Sequence, residues 1–167
     1  MNADAKKTAL RMIPYGIYVL TAETADGVAA AATVNWVTQT SFAPPLIALV
    51  LKADSGAYGV VEKAGRFALN ILGKGQQGVA FAFFKPASRD GDKIGGEPVR
   101  AGTTGVPVLV NAPAAVECRV AEIVKRGDHH IVVAEVLDAS VAKAPDGRPD
   151  EAILHMKDLG ANVFYGG

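Results

Sequence analysis

Between Thr33 and Lys52 the chain reads as two strands hinged at a polar corner, and this pattern restricts the fold more than any other stretch. Thr33-Val34-Asn35-Trp36-Val37 leads into Thr38-Gln39-Thr40-Ser41-Phe42-Ala43, and Pro44-Pro45 then opens the apolar run Leu46-Ile47-Ala48-Leu49-Val50-Leu51-Lys52. Two successive prolines remove two backbone donors and fix φ twice, so a stiff bend must precede the second strand. The corner also concentrates polar groups. Asn35, Thr38, Gln39, Thr40 and Ser41 offer donors and acceptors, while Trp36 and Phe42 offer flat apolar area, a mixture suited to a planar ligand with a polar edge. The same residues equally suit a hydroxyl-rich β-corner whose side chains satisfy their own backbone.

Helix and hairpin signals surround the corner. Asn2 or Asp4 is placed to cap a short helix reaching about Ile13, stopped by Pro14 and Gly16. Asp26-Gly27 is a hairpin dipeptide between Ile17 to Thr24 and Val28 to Val37. Ala29 to Ala32 favour helix by propensity, yet their place between that turn and the Val34/Trp36 alternation predicts strand. Pro45 to Leu51 predicts a buried strand, after which Asp54 or Ser55 caps a helix to about Ala64, ended by Gly65. Phe67 to Leu72 predicts another strand, and Gln76 to Phe84 a helix with Val79, Ala80, Phe83 and Phe84 on adjoining faces. Lys85 to Gly105 is rich in Gly, Pro and charge, which predicts a surface loop suited to act as a lid. Ala114 to Val124 and Ile131 to Ala142, joined by Lys125-Arg126-Gly127-Asp128, predict a long hairpin, and Asp146-Gly147 a further turn. About five to seven strands with two or three short peripheral helices predict a mainly-β fold, a small antiparallel barrel formed by residues 1–167 as a single domain.

Composition narrows the function. With 167 residues, half of them hydrophobic, the chain can bury roughly 70% of its unfolded surface. Seventeen basic and seventeen acidic residues cancel, so no global field draws it to nucleic acid or an anionic membrane. Single-strand binding by a small barrel also needs a basic groove with exposed aromatics, which balanced charge and few aromatic residues argue against. Residues 1–10 carry no apolar h-region, and no stretch reaches about 18 uninterrupted apolar residues, so neither secretion nor membrane spanning is indicated and a cytoplasmic protein is expected. Cys118, the sole cysteine, excludes an intrachain disulfide and a multi-cysteine metal site, and its apolar context predicts a buried, inert thiol.

Site motifs are sparse. His129, His130 and His155 lack metal-ligand spacing, so no metal is expected, and strand alternation turns His129 and His130 to opposite faces. No GxGxxG follows a strand and there is no P-loop. Lys52 with Ser55 at a helix N-terminus remains: free N–H groups, a hydroxyl and an ammonium make a small phosphate seat, although a solvated lysine beside an ordinary cap has the same sequence.

Taken in order, these segments resemble the flavin reductase-like, FMN-binding split-barrel family, in the branch of flavoredoxins and the flavin reductase modules fused to flavodiiron proteins. The resemblance rests on Ile17-Tyr18-Val19-Leu20-Thr21-Ala22, Asn35 to Leu46, Arg66-Phe67-Ala68-Leu69-Asn70-Ile71-Leu72 and Gly105-Val106-Pro107-Val108-Leu109. It continues through Glu117-Cys118-Arg119-Val120, Gly127-Asp128-His129-His130 with Ile131 to Val136, and His155-Met156-Lys157. It implies a homodimeric, Greek-key split barrel with flavin near the subunit interface. Asn35, Trp36, Val37, Thr38, Gln39, Thr40 and Ser41 would line the isoalloxazine and ribityl chain, Lys52 and Ser55 would meet the phosphate, Asn70 would sit beside the site, and His129 would border the flavin where nicotinamide docks. Ala29 to Ala32 depart from the pattern, where relatives often carry Gly near the flavin.

The implied activity is an oxidoreductase passing hydride from NAD(P)H to FMN, with FAD as the alternative flavin, and onward to an acceptor that could be a protein. Hydride transfer is the cofactors' own chemistry, so the missing acid–base pair counts little against it. The competing expectation is an electron carrier that keeps FMN bound and is reduced by a protein partner instead of nicotinamide.

Overall fold

Alternating side chains give each strand two usable faces, and the chain buries both. The computed structural model describes residues 1–166. After α1 (Ala3–Arg11) come β1 (Tyr18–Glu23), β2 (Ala29–Val34), β3 (Val37–Ser41) and β4 (Leu46–Lys52). Then follow α2 (Gly56–Ala64), β5 (Arg66–Ile71), α3 (Gln77–Ala82) and the short β6 (Arg89–Asp90), β7 (Lys93–Ile94), β8 (Glu97–Ala101) and β9 (Pro107–Leu109). The long strands β10 (Ala114–Val124) and β11 (His129–Val141), α4 (Pro149–Ala152) and a 3-10 turn (Met156–Leu159) complete the order.

Seven strands form an antiparallel sheet in the order β2-β1-β5-β10-β11-β4-β3. Its two edge strands, β2 and β3, are consecutive in the chain and separated only by Asn35 and Trp36. The sheet must therefore curl until its edges approach, and the gap between them is the split in the barrel. Trp36 bridges this gap to β4, because its carbonyl accepts from Val50 N at 3.0 Å. The expected antiparallel split barrel is the fold observed.

Within the curl, Leu20, Leu49, Phe67, Leu69 and Val132 are buried together with Ala57, Tyr58 and Val61 of α2. Burying a side chain such as Phe67 stabilises by about 1.5–3 kcal/mol. The helix is locally well specified: Ser55 Oγ accepts from Tyr58 N at 3.2 Å, and Gly65 ends it at φ 65°, in the left-handed region that favours glycine. Val19, next to Leu20, points the other way, into a second core with Ile17, Leu72, Ile94, Leu109 and Leu154.

That second core corrects the expectation of a loop over Lys85 to Gly105. Strands β6, β7, β8 and β9 form a four-stranded antiparallel sheet, tied to β2 through an Ala31–Ala87 bridge, and Ile94 is fully buried. The segment is a packed layer, not a lid. Its turn is anchored by the buried Glu117 carboxylate, which accepts from Thr103 N (2.9 Å), Thr104 N (2.7 Å) and Thr104 Oγ1 (2.6 Å). Gly102 is needed there, since a Cβ would lie 2.3 Å from Glu117 Oε1. The helices also outnumber the two or three expected: the short α4 and the 3-10 turn pack Leu154 and Leu159 against the second core. The Ala43–Pro44 peptide at the β3–β4 corner is cis. Among the described residues no helix is long and apolar enough to cross a membrane.

Candidate functional site

Where the barrel is split, the ends of β2 and β4 diverge and leave a cleft of about 330 Å³. Ala32 to Asn35 form one wall, Val50 to Lys52 with Ser55 and Ala57 the opposite one, and Phe83 and Phe84 close the back. Met156, Leu159 and residues 163–165 lie across the mouth. A mostly apolar lining with a few convergent polar groups is the usual make-up of a small-molecule site.

One end of the cleft is an anion seat. Nine-residue α2 presents its first N–H groups beside Ser55, whose Oγ also donates to Lys52 O at 2.8 Å. Lys52 is exposed and paired with the exposed Asp54, Nζ to Oδ1 at 3.1 Å; that hydrogen bond raises the ammonium pKa and keeps it charged. An arriving phosphate would compete with Asp54 for it.

An aromatic cluster stands beside this seat, since His129 is the cross-strand partner of Lys52. Trp36 lies 5.0 Å (centroid to centroid) from His129 and 5.5 Å from Tyr165, and His129 and Tyr165 lie 5.9 Å apart. His129 Nε2 is 2.7 Å from Tyr165 Oη, and Nδ1 is 3.0 Å from Asp128 Oδ1. Asp128 is held below the usual carboxylate range by that contact with His129, so as the charged acceptor it favours the proton on Nδ1 and leaves Nε2 to accept from Tyr165. Burial raises the Tyr165 phenol. The Trp36 Nε1 donor is buried and without a hydrogen-bond partner among the described residues. A buried donor left unpaired costs about 1–3 kcal/mol, so an acceptor brought by a ligand would recover it.

The predicted site residues divide sharply. Asn35, Lys52 and Ser55 line the cleft, and Trp36 and His129 flank it through their contact with Tyr165. Thr38, Gln39 and Thr40 do not: they are exposed on edge strand β3, where Thr38 Oγ1 donates to Gln39 O and Gln39 Nε2 to Ser41 O, both at 3.3 Å. Val37 and Ser41 share that strand and are absent from the lining. Asn70 is fully buried elsewhere, donating to Val19 O (2.9 Å) and Thr21 Oγ1 (3.0 Å) and accepting from Leu109 N (2.8 Å). Its amide joins β5 to β1 and β9 instead of facing the site. His130 does turn away from His129, packing edge-on against Tyr58 at 5.0 Å. Sequence reasoning missed Tyr165, Phe164 and the Phe83–Phe84 pair; only the clustering of aromatics before Gly166 hinted at the first two.

Comparisons with known proteins show the family. Residues 10–159 match the family model described as flavin reductase like domain. The chain is 32% identical over 135 residues to a flavin reductase of Pseudomonas putida, covering 81% of this chain and 78% of the relative. It is 32% identical over 145 residues to diflavin flavoprotein A 1 of Synechocystis sp., covering 86% of this chain but spanning only 25% of that relative's length. Among solved structures, an NADH:FAD oxidoreductase of Streptomyces globisporus superposes with a TM-score of 0.67 at 25% identity, covering 77% of this chain and 76% of that one. A family match over nearly the whole chain, with the same fold, places this protein in the flavin reductase-like domain family.

Proposed function

We infer that the cleft binds a flavin and that the protein is an NAD(P)H-dependent flavin reductase that hands electrons on to an acceptor. The observation that carries this reading is a mostly apolar cleft that has an anion seat at α2 and, flanking it, an aromatic cluster with an unpaired indole N–H. FMN has the matching halves, a planar ring with acceptor atoms and a terminal phosphate. Ser55, Lys52 and the first N–H groups of α2 would hold the phosphate, Asn35 and Trp36 would offer donors to the ring edge, and the apolar β2 and β4 walls would exclude water. Bound flavin would supply the hydride-accepting chemistry.

The chain's own part is orientation. Asp128 fixes the His129 tautomer, and His129 would border the flavin where a nicotinamide ring docks. The adenine half of FAD has a neighbouring groove of about 450 Å³ available, lined by Arg11, Tyr15, Met156 and Lys157, so FAD remains the alternative flavin. A homodimer fits the exposed strand β3 and the 90% exposed Phe42 at its tip, and a cytoplasmic location fits a reductase fed by soluble nicotinamide.

The test is the purified protein's visible spectrum with and without added FMN at about micromolar concentration. Flavin bands that co-migrate with the protein, bleached rapidly by anaerobic NADH, are expected. No retained or added flavin would refute the reading, while bound flavin that NADH leaves oxidised would shift it to an electron carrier reduced by a protein.

A further inference from the structure

The aromatic cluster flanking the cleft is tightly packed. A ring inserted face to face between two others needs roughly 7 Å between them, twice a van der Waals contact. Trp36 and His129 stand 5.0 Å apart at an interplanar angle of 54°, and Tyr165 packs against both. No planar ligand fits among these three rings as they stand.

Tyr165 belongs to a segment, residues 160–166, that is lightly held. It leaves the 3-10 turn at Gly160, whose φ of 131° is open to glycine, and after Val163 it makes no backbone pairing among the described residues. Its remaining polar contacts are the Tyr165 hydroxyl to His129, Asn35 Nδ2 to Tyr165 O at 3.5 Å and Arg11 Nε to Gly166 O at 3.3 Å. The Arg11 guanidinium also stacks 4.4 Å from the Phe164 ring centroid. Phe164 and Tyr165 are about half exposed, so little apolar burial retains them. Gly166 lies close over Trp36: a Cβ there would approach Trp36 Cζ2 to 3.2 Å.

The same segment is a partition. Val163, Phe164 and Tyr165, with Met156 of the 3-10 turn, line both the 330 Å³ cleft and the 450 Å³ groove beside it. Either space alone is at the small end of the range for cofactor sites, about 300–1,000 Å³. With the partition moved aside they would form one trough.

We propose that residues 160–166 form a strap over the cleft, with the Tyr165 ring packed against Trp36 and His129 where the flavin ring would lie, and that flavin binding displaces it. The proposal rests on the flavin reading of the cleft. Displacement uncovers the Trp36 indole N–H, frees His129 Nε2 from the Tyr165 hydroxyl and joins the two spaces. The strap thus holds the aromatic face together without ligand and gives it up when a ring with its own acceptors arrives.

The test is stopped-flow binding of FMN to flavin-stripped wild-type protein, Tyr165→Ala and Tyr165→Phe, followed by quenching of flavin fluorescence. If the open state is a minor species of at most about 10%, Tyr165→Ala should raise the apparent association rate at least about tenfold. Tyr165→Phe keeps the ring but loses the hydroxyl bond to His129, and should fall between the two. Acrylamide quenching of Trp36, the sole tryptophan, should rise in Tyr165→Ala before any flavin is added. Equal association rates in all three proteins, or slower binding in Tyr165→Ala, would overturn the strap while leaving the flavin reading intact. Failure of every form, Tyr165→Ala included, to bind FMN would overturn the flavin reading and the strap with it.

Discussion

Asn70 and Trp36 are both polar groups withdrawn from water, and they have opposite fates. Asn70 sits at the centre of the molecule with three hydrogen bonds to the surrounding strands. Trp36 sits at the split with its indole N–H unpaired. A buried amide with several good partners is part of the frame, because each removed partner would leave another group stranded. A buried donor with none, beside a cleft, is a cost that only something arriving later can offset. The difference separates the residues that hold the barrel from those that await a ligand, though both lie in segments that match the same family.

Removing Asn70 sharpens that contrast most. Asn70→Ala leaves Leu109 N without its acceptor and removes a donor from Val19 O and from Thr21 Oγ1, which keeps only its own bond to Pro107 O, and should lower stability by about 3 kcal/mol in equilibrium urea unfolding. Trp36→Phe should cost under about 1 kcal/mol in the same measurement yet weaken FMN about tenfold or more. A stable Asn70→Ala protein with impaired flavin binding would invert the assignment.

The anion seat gives the next largest effect. Lys52→Ala should weaken FMN several-fold and leave riboflavin nearly unchanged, because only the phosphate loses a charge-assisted contact. Equal losses for both ligands, read by titration calorimetry, would make Lys52 a solvated lysine tied to Asp54. The two strand histidines repeat the comparison on a smaller scale. His129→Ala should slow reduction of bound flavin by NADH with flavin affinity within a few-fold, whereas His130→Ala should remove about 1 kcal/mol of stability through its contact with Tyr58 and leave the hydride step alone. Stopped-flow rates reversed between the two would break it. Cys118 gives the smallest effect: burial pushes its thiol up to about 12, so a disulfide reagent at neutral pH should label the folded protein negligibly and the unfolded protein fully.

Local chemistry explains which parts could be read in advance. The helix from Gly56 to Ala64 has its cap at Ser55 and its stop at Gly65 written within a dozen residues, and the hairpin of β10 and β11 is announced by Lys125 to Asp128 between two long alternating runs. The second sheet had no such signal. Its strands β6 and β7 are two residues each, and they exist because Ala87 meets Ala31 and Ile94 enters a core that reaches back to Ile17 and Val19 in and before β1. Asn70 is singled out by the family resemblance alone, and its structural role, accepting from Leu109 N 39 residues on, has no local signal in the sequence. Thr38 to Thr40 are exposed because β3 is an edge strand, a place in the sheet that the run itself does not announce. Tyr165 reaches Asn35 across 130 residues, a distance over which periodicity says nothing.

Because Trp36 is the only tryptophan, the ¹⁵N-labelled protein should give a single indole N–H cross-peak, and following it during an FMN titration tests most directly whether the unpaired donor is the ligand site. The expected result is a large, saturable shift of that peak at one FMN per chain, in the direction of a stronger hydrogen bond, with the Asn70 side-chain amide peaks unmoved. An indole peak that stays in place while FMN binds would contradict the account.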